Sequence, residues 1–171
     1  MKRSLVKIAE DGADAMNHYT RPLPKNRSIP AATVIPVLPY PDVRQAVEWL
    51  ERVFGFAERL QITDHRAQMR VGDGAMIVAE YIDRERRPQV GADYVSHSVM
   101  VRIPDVAAHC EHVKASGAEV LQEPEDHVYG ERQYTVRDIG GHRWIFSETL
   151  ADRHPDDWSE GGIFLKIDEY E

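Results

Sequence analysis

PDVRQAVEWLERVFGFAERLQ, residues 41–61, and PDVAAHCEHVKASGAEVLQ, residues 104–122, are two versions of one unit. Each opens on Pro-Asp-Val, runs through an amphipathic stretch, breaks at a glycine (Gly55, Gly117) and ends on a strand-like Leu-Gln. Each is followed by a segment that closes through an Asp/Gly turn, VGDGAMIVAE at 71–80 and VRDIGGHRWIFSE at 136–148. A period of roughly sixty residues is too long for a solenoid repeat. It predicts two copies of one supersecondary module packed about a pseudo-twofold axis, with a ligand groove between them.

Within the first copy, Asp42 is placed to cap a helix, with Gln45 at the third helical position as in a capping box. Val43, Ala46, Val47, Leu50, Val53 and Phe54 recur at helical spacing, and Gly55 ends the run. VIPVLPY (34–40) ahead of it reads as a strand, and Pro36 and Pro39 confine it to a sheet edge. Three strands follow, near 56–63, 66–71 and 75–82, the last two joined by a Gly72-Asp73-Gly74 turn. The second copy repeats the order: strand 97–103, helix 106–116 with Val106, Cys110 and Val113 inward, and strands near 119–123, 132–137 and 143–148.

The expected fold class is α+β: two tandem βαβββ modules forming a curved mixed sheet with a concave ligand cleft. Residues 1–30 form an N-terminal arm and 31–150 the domain, divided into module one (33–82), a charged linker (83–95) and module two (96–149). Residues 151–171 are a C-terminal tail, in which 163–170 is a short terminal element without an assigned destination.

Composition narrows the partners. A net charge of −8 argues against nucleic acid and anionic membranes, because phosphate binding needs a basic face. The opening MKRSLVKIAEDGADAMN has no signal-peptide core, and no apolar run reaches transmembrane length, so a cytoplasmic protein is expected. A single cysteine, Cys110, excludes an intramolecular disulfide and a cysteine-rich zinc site.

PDVRQAVEWLERVFGF (41–56) and HVYGERQYTVRDIGGHRW (127–144) resemble the vicinal oxygen chelate superfamily of glyoxalase I, the extradiol dioxygenases and the bleomycin- and fosfomycin-resistance proteins. The second stretch looks like the family's Asp-Pro-Asp-Gly turn, with Ile139-Gly140 in place of Pro-Asp. The resemblance spans about residues 33–150 and implies paired βαβββ modules, often in a dimer.

In the family's metalloenzymes four side chains, typically His, Gln and Glu, hold one divalent metal. Those positions fall here on Ile35, Ile77, Ser98 and Ile145. Three isoleucines and a serine are no donor set, so no cofactor is expected. Glu80 and Glu148 lie three residues beyond Ile77 and Ile145 and point to the other face, and His97 fails by the same parity. A register one residue off would bring His97, with Glu80, into reach. That is the alternative: a lyase, isomerase or dioxygenase with one divalent ion on non-standard ligands.

The metal-free reading is a protein that binds a small organic molecule, with Ile35, Met69, Ile77, Ser98, Arg132, Tyr134 and Ile145 as ligand-binding residues. Arg132, Tyr134 and Val136 share one strand face directed to cleft or core. Arg132 there would clamp a carboxylate or phosphate, and otherwise pairs with a carboxylate at the sheet rim. His109 and His112, three apart on the second helix, read as solvated residues. No acid/base pair is evident, so catalysis is left open. A cleft lined by Ile35, Val37, Ile77, Met100 and Ile145 is too apolar to stay open, and a homodimer is expected to close it, with the arm or the second module as other lids. A module whose cleft is filled by protein is a third possibility.

Overall fold

The structure, a computed structural model, describes residues 24–81 and 97–154. The linker stretch 83–93, most of the arm and most of the tail, including 163–170, lie outside the described residues.

Both modules have the same construction. In module one β1 (Val37–Tyr40), α1 (Val43–Phe54), β2 (Ala57–Ile62), β3 (Arg66–Val71) and β4 (Gly74–Glu80) form a sheet of order β1-β4-β3-β2. In module two β5 (Ser98–Arg102), α2 (Val106–Ala115), β6 (Glu119–Asp126), β7 (Glu131–Arg137) and β8 (Arg143–Thr149) give β5-β8-β7-β6. The first and last strands of each module pair in parallel and the rest antiparallel. A parallel pair needs a crossover, and the helix supplies it. The proline-bearing β1 sits at a sheet edge, where a missing N–H costs no ladder bond.

The helices form where the caps and apolar stripes put them. Asp42 accepts from the Gln45 N–H at 2.9 Å, and Gly55 closes α1 at φ 72°, a conformation that costs glycine nothing. All six residues of the α1 stripe are buried, and the five larger than alanine each contribute roughly 1.5–3 kcal/mol. In α2, Asp105 accepts from Ala108 at 2.8 Å, and the Glu148 carboxylate accepts from the Val106 N–H at 2.9 Å. Glu148 therefore faces the helix, as strand parity requires, and satisfies a helix-end donor.

The two modules share one core. Phe54, at the end of α1, meets Trp144 at 5.6 Å and Phe146 at 5.1 Å in edge-to-face contacts across the boundary. Polar contacts reinforce the seam. The Tyr40 hydroxyl donates to Asp138 Oδ2 at 2.6 Å, and His142 Nε2 bonds the Pro39 carbonyl at 2.9 Å. Asp138 is 5% exposed and also accepts from Trp144 Nε1 (2.8 Å) and from the backbone N–H groups of Gly140 (2.9 Å) and His142 (2.8 Å). Glycine is required at 140, since a Cβ there would lie 2.6 Å from the Tyr40 ring. Burial, then the neighbouring carboxylate, hold the Tyr40 phenol well above its ordinary pKa, so it stays a donor.

His109 belongs to the same seam and corrects the reading of it as solvated. Its Nδ1 lies 2.6 Å from the Tyr134 hydroxyl and its Nε2 3.3 Å from the Phe54 carbonyl. A carbonyl only accepts, so Nε2 carries the proton and Nδ1 accepts from Tyr134. Burial pushes the imidazole pKa below its ordinary value, consistent with a neutral ring. His112 is exposed, with Nε2 2.9 Å from the Arg52 carbonyl.

Candidate functional site

Strand pairing fixes which residues share the faces turned away from the helices. Val37 opposes Ile77 in module one, and Met100 opposes Ile145 in module two. The correspondence inferred between Ile77 and Ile145 is thus the correspondence the fold makes. In module two the open face carries three successive rows across β5, β8 and β7: Ser98, Arg143 and Arg137; Met100, Ile145 and Thr135; Arg102, Ser147 and Gln133. Trp144 and Phe146, of opposite parity, are buried in the core.

The polar groups of this face are mostly paired. Arg137 reaches Glu119 at 2.9 Å and Arg102 reaches the Thr149 hydroxyl at 2.9 Å. Glu131 accepts from the Ser147 hydroxyl at 2.6 Å and from Gln133 Nε2 at 2.8 Å, and these two bonds hold its carboxyl below its ordinary pKa. Arg143 is different: its Nε is shut from solvent and has no hydrogen-bond partner.

Module one presents a closed version of the same face. Gln68, opposite Ile77, is 3% exposed and Ile77 is 5% exposed. Gln68 Nε2 donates to the Ser28 carbonyl at 2.8 Å, and Arg59, itself bonded to Gln68, donates to the Arg27 carbonyl at 2.7 Å. Two residues of the arm are therefore fastened to this sheet.

Between the modules runs a groove of about 680 Å³, within the usual size range of ligand pockets. Its floor includes Phe54, Phe56 and Trp144, and its walls are the 71–76 hairpin and strand β5. Ser98, Met100 and Arg102 line the groove and also belong to the open-face rows, so the two surfaces meet at β5.

The expected site residues divide accordingly. Ile77, Ser98 and Ile145 lie on the faces turned away from the helices, and Ile35, just ahead of β1, has the parity of Val37. Met69 and Tyr134 are both 0% exposed. Met69 pairs with Met76 on the helix side, and Tyr134 is stacked on Phe146 at 5.3 Å. Their expected place in the cleft is corrected: both are core, because the apolar members of β3 and β7 face the helices. Arg132 shares that parity and ends at the rim, bound through two nitrogens to Asp126 at 2.5 and 2.9 Å. Arg143 was the arginine the sequence reading passed over. It stands two residues before Ile145, so the parity that placed Ile145 on the open face could have found it.

The alternative metal ligands do not join the face either. Glu80 pairs in register with Tyr40, on the helix side. His97 precedes Ser98, and its ring lies 5.7 Å from that of His142. The residues at the family's metal positions do not fit a divalent ion: Ile35, Ile77 and Ile145 have no donor atom, and Ser98 offers one hydroxyl. Among the described residues no group of three or more His, Cys, Asp or Glu is arranged to hold a metal. Among the described residues, too, no helix is long and apolar enough to cross a membrane.

Comparison with known proteins agrees with this architecture. Residues 30–146 match the Glyoxalase/Bleomycin resistance protein/Dioxygenase superfamily, and the chain belongs to it. Among solved structures the chain is similar to TioX from Micromonospora sp. ML1, at 31% identity and a TM-score of 0.57, over 72% of this chain and 100% of that one. It shares its fold with the fosfomycin resistance protein FosX from Listeria monocytogenes, solved with Mn(II) and sulfate (15% identity, TM-score 0.55, 69% of this chain and 90% of that one). A glyoxalase-related enzyme from Fulvimarina pelagi has the same fold (16% identity, TM-score 0.52, 68% and 88%). No curated protein sequence matches the chain.

Proposed function

We propose that the protein binds a small organic molecule where the intermodule groove meets the open face of module two, without the family's metal. The observation that carries this reading is the replacement of the metal positions by Ile35, Ile77, Ser98 and Ile145 on otherwise intact modules. What remains at β5 is an apolar surface with a few convergent polar groups, which suits capture of an organic ligand. Membership of a superfamily that includes the bleomycin resistance proteins supports a small organic molecule as the ligand.

Thermal melts with aromatic acids, planar antibiotics and 2-oxoaldehyde adducts, with and without chelator, test it. A bound compound at a hundred times its dissociation constant stabilises the fold by about 2.7 kcal/mol. The stabilisation is expected to persist in chelator. Stabilisation that appears only with added divalent metal would return the protein to the lyase, isomerase or dioxygenase class. No stabilisation by any compound would leave a protein-filled interaction module.

The working form is a homodimer on this proposal. Val37 is 50% exposed and Met100 52%, one on each of the edge strands β1 and β5. Apolar side chains on a free sheet edge invite a second copy. Sedimentation equilibrium at micromolar concentration is expected to give twice the chain mass; the mass of a single chain overturns the dimer.

A further inference from the structure

We infer that the open face of module two holds an anion subsite, built on Arg143 and Arg137, that takes the carboxylate of an otherwise apolar ligand. This rests on the binding reading above and specifies its ligand class. Arg137 and Arg143 are directly opposed in the β7·β8 ladder, which brings their Cβ atoms to about 5 Å on one face. Like charges so placed repel unless an anion lies between them. Glu119 neutralises Arg137 from the far side at 2.9 Å. Among the described residues nothing does the same for Arg143, whose Nε is buried without an acceptor.

The other arginines on these strands differ. Arg132 is bound to Asp126 and Arg102 to Thr149. Arg143 is thus a half-buried arginine whose Nε has no hydrogen-bond partner, in a chain of net charge −8. A carboxylate matches the guanidinium fork with two parallel bonds. Ser98, paired in register with Arg143, adds a hydroxyl at the same end.

The next row sets the rest of the ligand. Ile145 and Met100 lie one strand repeat beyond Arg143 and Ser98, about 7 Å along the sheet. An acid head at Arg143 therefore places an apolar body on Ile145 and Met100, where the groove opens. Arylacetic acids have these dimensions.

Titration calorimetry with naphthylacetate and its primary amide, naphthylacetamide, tests the subsite. The two probes differ in charge and share their apolar body. Wild-type protein is expected to bind the acid at least about tenfold more tightly than the amide. Arg143→Gln is expected to erase that preference, and Arg132→Gln to retain it. If Arg143→Gln fails to fold, Arg143→Lys, which keeps the charge and loses the fork, is expected to lose most of the preference. Equal affinity for acid and amide in the wild type overturns the subsite and leaves the binding reading standing. An acid preference undiminished by substitution at Arg143 does the same. Absence of binding by both probes overturns the subsite, and the binding reading then stands or falls on the wider panel of compounds.

Discussion

Asp138→Ala is expected to destabilise the fold by roughly 3–5 kcal/mol. The carboxylate is 5% exposed and accepts from Tyr40, Trp144, Gly140 and His142. Alanine strands all four donors, and each buried donor left unsatisfied costs about 1–3 kcal/mol before local relaxation. The Trp144 indole N–H has no way to turn and accept instead, whereas the Tyr40 hydroxyl does. Asp138→Asn should therefore be milder, at about 1–2 kcal/mol, because its oxygen still serves the two backbone donors. Urea denaturation followed by tryptophan fluorescence measures both. A loss below about 1 kcal/mol for Asp138→Ala would mean that water replaces the carboxylate and that the seam does not depend on it.

Phe54→Ala is expected to cost about 3–5 kcal/mol. The ring lies in edge-to-face contact with Trp49, Phe56, Trp144 and Phe146 at centroid distances of 4.9, 5.5, 5.6 and 5.1 Å. Its neighbours come from both modules, so the cavity has rigid aromatic walls and little means of collapsing. Phe54→Leu keeps most of the volume and should lose less than half as much, about 1–2 kcal/mol. The comparison of urea midpoints separates filled volume from ring geometry. Equal losses for the two substitutions would show that the aromatic contacts, and not the space, hold the modules together.

The sequence was most informative where one pattern left one solution. The α1 stripe from Val43 to Phe54 had no second face to occupy, and all six of its apolar members are buried. Duplication then carried the register from one module to the other, which is why Ile77 and Ile145 fall at matching places. Strand β7 was harder. Alternation divides its residues into two sets but does not say which set meets the helix, and Tyr134 suits a core as well as a ligand. With the faces taken the other way, Arg132 replaced Arg143 as the candidate cation. Met69 was ambiguous for the same reason, being apolar and equally at home on either face. Asp138 was out of reach for a different reason. Its principal partner, Tyr40, belongs to the other module, and no local spacing connects them.

Among the described residues strand pairing does not cross the boundary: β1 to β4 pair only among themselves, and so do β5 to β8. Every backbone ladder is thus closed within its own half, over short loops and one helix. The long-range contacts are left to side chains at the seam, above all Phe54 and the Tyr40–Asp138 bond. Loop-closure entropy grows with the length of chain enclosed, and folding slows as contacts become more distant in sequence. Doubling a small module has therefore given a chain of 171 residues the ladder topology of one about half its size, with the packing of the two halves against each other as its most non-local requirement.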